Sequence, residues 1–298
     1  RAAHQAAREG ICRPLLLGNK DEIVSLAGNL QIPLEGIEVE NHLESPLRDG
    51  FIKTLFQLRC RKGWSLAETE RQLKNRYVFG AMMVHEGLVD GQVHGIDRSY
   101  PDAMRPVLRV IPRRKGVKNV SGIYLMVFKN QSLFFADPTV NITPSSEDLA
   151  EIAILAGEMA GFFNMVPRVA MLSFSDFGTS IHPDAQRVKA AVSIARKRAP
   201  GLMIDGEMQA DTAVVGEILT RAYPFSRLDG PANVLIFPEL AAANVAYKLL
   251  SQLGGAKAVG PLLMGVSKPF NVLHRNTDME NVVHVIAITV AQAQELEG

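Results

Sequence analysis

Short apolar runs bounded by Gly, Pro or Asp alternate with helix-length amphipathic segments along the chain, and few folds accept that rhythm. Leu15–Leu17, Leu88–Val93, Gly122–Val127, Leu133–Ala136, Arg168–Phe174, Asn233–Phe237 and Ala258–Met264 read as buried strands, and Leu202–Ile204 as a shorter one. Ser146–Phe162, Asp184–Lys197, Ala210–Ala222, Leu240–Leu253 and Glu280–Leu296 read as helices. Strand followed by helix, repeated, predicts an α/β chain with mostly parallel sheets. A chain of 298 residues has room for two cores, so two lobes are expected.

A net charge of +1 gives no general attraction to DNA or to an anionic membrane, so neither is an expected partner and any anion site must be local. The basic run Arg113–Arg114–Lys115–Gly116 has no interleaved aromatics and reads as a solvated turn, placed where the chain crosses between lobes. Val282 to Ala293, the longest apolar stretch, has the length of a buried helix rather than a membrane span. Cys12 and Cys60 offer neither metal spacing nor a disulfide framework, which suits a reducing cytoplasm. The chain starts at Arg1 inside a helical pattern, Ala2 to Glu9, and reads as part of a longer polypeptide.

In open α/β sheets, ligands sit beyond the carboxyl ends of strands, where helix N-termini present backbone donors. Ser173, Ser175, Gly178, Thr179 and Ser180 follow one strand and precede the helix after Pro183. Four hydroxyls, a glycine turn and free amides there make an anion cradle; the competing reading is plain helix capping. At Phe237–Pro238–Glu239, small residues of the next helix suggest close packing. Thr277–Asp278–Met279–Glu280 reads as a capping box with Thr277 as cap, preceded by His274 and Arg275. A cation ahead of a helix opposes its dipole, so Arg275 either shares an anion or points to solvent, and His274 alone reads as a loop histidine.

Asp97–Arg98–Ser99–Tyr100–Pro101–Asp102 reads as a loop closing onto a helix that carries Arg105. Arg59, Arg61 and Lys62 end another helix before Gly63, an ordinary place for cations. Asp205–Gly206–Glu207 reads either as a pair of acid–base carboxylates or as a solvated turn.

From about residue 5 to residue 295 the chain resembles the phosphate acetyltransferase family. The resemblance is carried by Gly80–Met83, Gly87–Gly91, Phe135–Asp137 with Val140–Asn141, Leu172–Ser175, Asp205–Gln209, Ala232–Pro238, Gly260–Pro261 and Lys268–Asn271. It implies a two-lobed fold like that of isocitrate dehydrogenase, with CoA in the cleft and a homodimeric assembly. The first lobe is then discontinuous, residues 1–116 with 263–298, and residues 117–262 form the inserted second lobe. It further implies CoA contacts at Arg59, Arg105, Asn271, His274 and Arg275, with Gln252 replacing a third family arginine.

The resemblance places an Asp at Val272, a Ser at His274, and the carboxylate that deprotonates the CoA thiol at Asn281, whose amide has no useful basicity. A transferase-like domain that keeps ligand contacts and loses its base resembles the C-terminal domain of the large bacterial NADP-dependent malic enzymes. On that resemblance the chain is expected to be non-catalytic, with acetyl-CoA as an allosteric effector of malate oxidative decarboxylation. It holds no cofactor of its own, and NADP and a divalent metal belong to a part not present. The alternatives are an active phosphate acetyltransferase using another base, His274 or Asp278, and a dimerisation module without ligand.

Overall fold

The computed structural model describes residues 1–297. From the N-terminus come α1 (Ala2–Arg8), β1 (Leu15–Leu17), α2 (Lys20–Asn29), β2 (Glu38–Glu40), α3 (Arg48–Arg59), α4 (Leu66–Leu73), α5 (Arg76–His85), β3 (Gln92–His94) and α6 (Tyr100–Leu108). There follow β4 (Ser121–Val127), β5 (Ser132–Ala136), α7 (Ser146–Phe162), β6 (Arg168–Leu172), α8 (Pro183–Arg198), β7 (Met203–Met208), α9 (Ala210–Val214), α10 (Gly216–Ala222), β8 (Val234–Ile236), α11 (Leu240–Gln252) and β9 (Lys257–Met264). The chain ends with β10 (Phe270–Val272) and α12 (Met279–Glu297).

Two compact units result. One comprises residues 1–114 with 266–298, the other residues 115–265. In the second unit a six-stranded sheet runs in the order β7–β6–β8–β5–β4–β9. The pairs β5–β8, β8–β6 and β6–β7 are parallel, while β4 runs antiparallel to both β5 and β9. The fold is α/β with mostly parallel sheets. Continuous apolar sequence makes these strands, because both faces of a helix-covered sheet are buried. One face packs Tyr124, Phe135, Leu235 and Met208 with Leu219, Tyr247 and other residues of the covering helices. Each such side chain contributes roughly 1.5–3 kcal/mol by leaving water.

Local chemistry sets the helix starts. Ser145 and Asp148 form a reciprocal capping box on α7, and Asn19, Ser65, Asn75 and Ser99 cap α2, α4, α5 and α6. Beneath α7, the buried Glu151 carboxylate accepts the amides of Lys118 and Asn119 and pairs with Arg198 at 3.1 Å.

The first unit is centred on α5, in which every residue from Tyr77 to Val84 is buried. An all-apolar helix of this kind needs partners on all sides; α3, α4, α6 and β3 pack around it. Two short parallel pairs, β1–β2 and β3–β10, complete the unit. The expected strand Leu88–Val93 is a turn over 87–90 followed by β3, and the expected helix Ala210–Ala222 is two helices broken at an extended Val215.

Candidate functional site

The predicted site residues divide between the two units. In the second unit, Ser173, Ser175, Gly178, Thr179 and Ser180 do lie on one loop, between β6 and α8. Its centre is Glu207, which sits in β7 and is fully buried. Met171 pairs with Gly206 and Leu172 with Met208, so Glu207 is the extra residue of a bulge. A bulge re-aims a side chain, and this one sends the carboxylate into the loop. Glu207 Oε1 accepts the Ser175 hydroxyl at 3.0 Å and the Gly178 amide at 2.6 Å. The bulge depends on Gly206, whose φ is +138°; a Cβ there would lie 2.7 Å from the Met171 carbonyl oxygen.

The amides expected to be free for an anion are engaged. Ser173 donates to the Met208 carbonyl, Phe177 to the Glu207 carbonyl, Asp176 to the Thr179 hydroxyl and Ser180 to the Ser175 hydroxyl. The loop is thus an anion cradle whose occupant is the protein's own Glu207. Capping chemistry does not describe it either, since the cap of α8 is His182. Asp205 is not a solvated turn: it lies buried in β7, paired with Arg196 and accepting from the Arg227 amide at 2.6 Å.

In the first unit, Asn271, His274 and Arg275 lie on and just after β10. Asn271 is fully buried, and its amide donates to Thr289 Oγ1 at 2.8 Å and to Gln292 Oε1 at 3.0 Å. Its donors tie β10 to α12. Thr277 is not the cap of α12: its hydroxyl donates to the His274 carbonyl at 2.7 Å, while Asp278 accepts the Asn281 amide at 2.7 Å. His274 is half-buried with its ring 5.2 Å from that of Tyr100, the first residue of α6, and Arg275 is exposed. Arg105 is exposed on α6, the helix that Tyr100 opens. Arg59 ends α3, its guanidinium 5.3 Å from the centre of the Trp64 ring.

Three polar features were not legible beforehand. Arg76 and the Tyr77 hydroxyl both bond the Asp97 carboxylate, fixing the loop ahead of α6. Arg109 lies 5.8 Å from the Trp64 ring. His94 donates from Nε2 to the Ala103 carbonyl at 3.1 Å, and burial pushes its pKa down to about 4. A carbonyl only accepts, so the proton sits on Nε2.

Residues 1–290 match the family described as Phosphate acetyl/butaryl transferase. The chain belongs to this family. The phosphate acetyltransferase of Bacillus subtilis (strain 168) is 40% identical over 294 residues, spanning 98% of this chain and 90% of that protein. That of Clostridium acetobutylicum is 37% identical over 300 residues, with the same coverage of both. Among solved structures, a phosphotransacetylase from Streptococcus pyogenes superposes with a TM-score of 0.93 at 36% identity, covering 99% of this chain and 90% of that one. EutD phosphotransacetylase from Staphylococcus aureus gives 0.90 at 36% identity, covering 98% and 89%.

These relatives correct the expectation of a non-catalytic acetyl-CoA-sensing domain from a malic enzyme. The Bacillus and Clostridium phosphate acetyltransferases are matched over nine-tenths of their own length, so the resemblance is to whole transferases. The oxidoreductase and NADP assignments fall with it. The expectation leaned on departures at three positions, Val272, His274 and Asn281, against a match carried by the whole chain. Among the described residues, no helix is long and apolar enough to cross a membrane.

Proposed function

We propose that this chain is an active phosphate acetyltransferase, moving an acetyl group between phosphate and the CoA thiol, with His274 accepting the thiol proton. The observation that carries the reading is the similarity to phosphate acetyltransferases along nearly the whole chain.

Thiolate is the nucleophile, and a free thiol with a pKa near 8.5 is only a few per cent ionised at neutral pH. A base is therefore needed, and Asn281 supplies none. Asp278 is committed to the start of α12, where it accepts the Asn281 amide. An imidazole titrates in the useful range, and His274 stands beside Arg275 on the segment entering α12. The S–H proton passes to the imidazole, sulfur attacks the carbonyl carbon of acetyl phosphate, and the carbon–oxygen bond to phosphate breaks. Arg275 offers a cation for the phosphate that leaves. Acetyl-CoA is then product and substrate rather than effector. The two thiols, Cys12 and Cys60, are unpaired, which supports a reducing cytoplasm.

Formation of acetyl-CoA from acetyl phosphate and CoA by the purified chain tests this. Turnover above about one per second is expected, falling about 10²–10⁴-fold in His274→Ala. Background turnover in the folded wild-type chain overturns the proposal.

A further inference from the structure

His94 bonds both sides of the contact that brings Tyr100 to His274. Its carbonyl accepts the amide of Leu273, the residue before His274, at 2.7 Å. Its ring Nε2 donates at 3.1 Å to the carbonyl of Ala103, one turn into α6 from Tyr100. The rings of Tyr100 and His274 then lie 5.2 Å apart, tilted by 31°. Tyr100 is buried, so packing holds its ring in place.

Both sides need that tie. Thr277 donates to the His274 carbonyl from its amide at 3.2 Å and from its hydroxyl at 2.7 Å, which fixes the main chain but does not set the ring. Tyr100 is the first residue of α6, and helix ends fray. Arg76 and the Tyr77 hydroxyl hold Asp97, in the loop ahead of that ring, whereas the bond from His94 acts from within the helix. Fold stability alone does not call for an imidazole here. The His94 ring lies 4.6 Å from that of Tyr77 and 6.3 Å from that of Phe270, and its Nδ1 is buried without a hydrogen-bond partner. An apolar ring would fill the space without the unmatched nitrogen.

We infer that His94 is a positioning residue, which holds α6 so that Tyr100 sets the His274 imidazole for proton transfer. Its part in turnover rests on the transferase reading with His274 as base, whereas the placement of the two rings does not. A base works only when it meets the proton in a fixed direction, and a misplacement of about 1 Å caused far from the chemistry can cost about a hundredfold. The neutral imidazole of His94 suits the task, because its Nε2–H is a single donor aimed at one carbonyl. In this role His94 and Tyr100 both act through His274.

Placement is read first, by NMR of the full chain labelled at histidine, with the His274 ring signals identified by their loss in His274→Ala. The ring current of Tyr100 acts on those signals, so Tyr100→Leu should move them. His94→Phe keeps a ring and removes the donor, and should move them in the same direction. His94→Gln, whose amide reproduces the Nε2 donor, should return them most of the way. If His94→Phe does not fold, His94→Met repeats the comparison with a flexible apolar side chain. His274 signals unmoved in the folded apolar variant overturn the inference. Turnover is then compared in two backgrounds. His94→Phe and Tyr100→Leu should each lower kcat about tenfold with KM for CoA changed less than about twofold, and His94→Gln should come within about threefold of wild type. In His274→Ala each should change the residual rate less than about twofold, since both act through that side chain. Equal losses in the two backgrounds overturn the inference, as does a rise in KM for CoA with kcat kept. A wild-type chain without turnover sinks the transferase reading and leaves the ring signals to decide the placement.

Discussion

Glu207 accepts the Gly178 amide at 2.6 Å across 29 residues of sequence, and that bond makes the segment from Ser173 to Ser180 a rigid structure rather than a loose cap. The same oxygen takes the Ser175 hydroxyl, so one carboxylate holds two donors of a loop whose other amides are taken by its own hydroxyls and by backbone carbonyls.

Glu207→Gln keeps an acceptor of the same shape and loses its charge. A charge-assisted bond exceeds a neutral one by about 1 kcal/mol, so a loss of one to two such increments is expected from urea unfolding. Glu207→Ala leaves the Gly178 amide and Ser175 hydroxyl unmatched and should cost about 2–4 kcal/mol. Equal stability of both variants and wild type would remove Glu207 from this role.

Gly206→Ala should be among the most damaging small changes in the second unit. The added methyl meets the Met171 carbonyl at 2.7 Å in a backbone region closed to L-residues. A drop of roughly 2–4 kcal/mol is expected, read as a lower midpoint of thermal unfolding. Gly161→Ala, on α7 with no atom within 4 Å of its Cβ, serves as the control and should be neutral or stabilising.

His94 should make stability fall in acid. Its pKa is about 4 when folded, against 6.5 in the open chain, so between those values the unfolded state holds more protons. Stability then rises with pH over that window, by roughly 3 kcal/mol in all. In His94→Gln the difference from wild type should shrink as pH falls from 6.5 to 4. A difference that stays constant across the window would exclude His94 as the source.

Glu151→Gln strips the charge from a carboxylate that binds Arg198 and two backbone amides under α7. A buried acceptor with three partners predicts a cost of about 1–3 kcal/mol. Arg198→Met should cost less, since the two amide bonds remain. The reverse order, measured by urea unfolding, would contradict the arrangement.

The sheet of the second unit was legible because β4, β5, β6 and β9 are continuous apolar runs long enough to signal burial on both faces. The three-residue β3 and β10 carry no such signal, and Asn271 to Arg275 reads as loop until β3 is placed beside it. The segment 210–222 shows one helical period, but the chain turns out at Val215 just before Gly216. Thr277 and Asp278 are equally good caps on paper; the choice falls to Asp278 because the Thr277 hydroxyl is taken by His274.

Site chemistry was readable only where its partners lie close in sequence. The serines and threonine from Ser173 to Ser180 announced an anion cradle, while nothing within the loop announced that Glu207 fills it. Arg59 and Trp64 are five residues apart and Arg109 is 45 beyond Trp64, so their meeting at one ring needed α3 and α6 in place. Val272, His274 and Asn281 depart from the family pattern, but the role of a chain does not follow from three positions.

The interrupted first unit bears on how the chain emerges during synthesis. Residues 115–265 form one uninterrupted unit that can close on itself once released. β3 must wait for β10, made some 180 residues later, and α1 waits for α12. Until then the half-buried residues of β3 and the face of α1 that packs on α12 stand open to water. The segment bearing His274 and Arg275 is thus set in place among the last, with only α12 made after it.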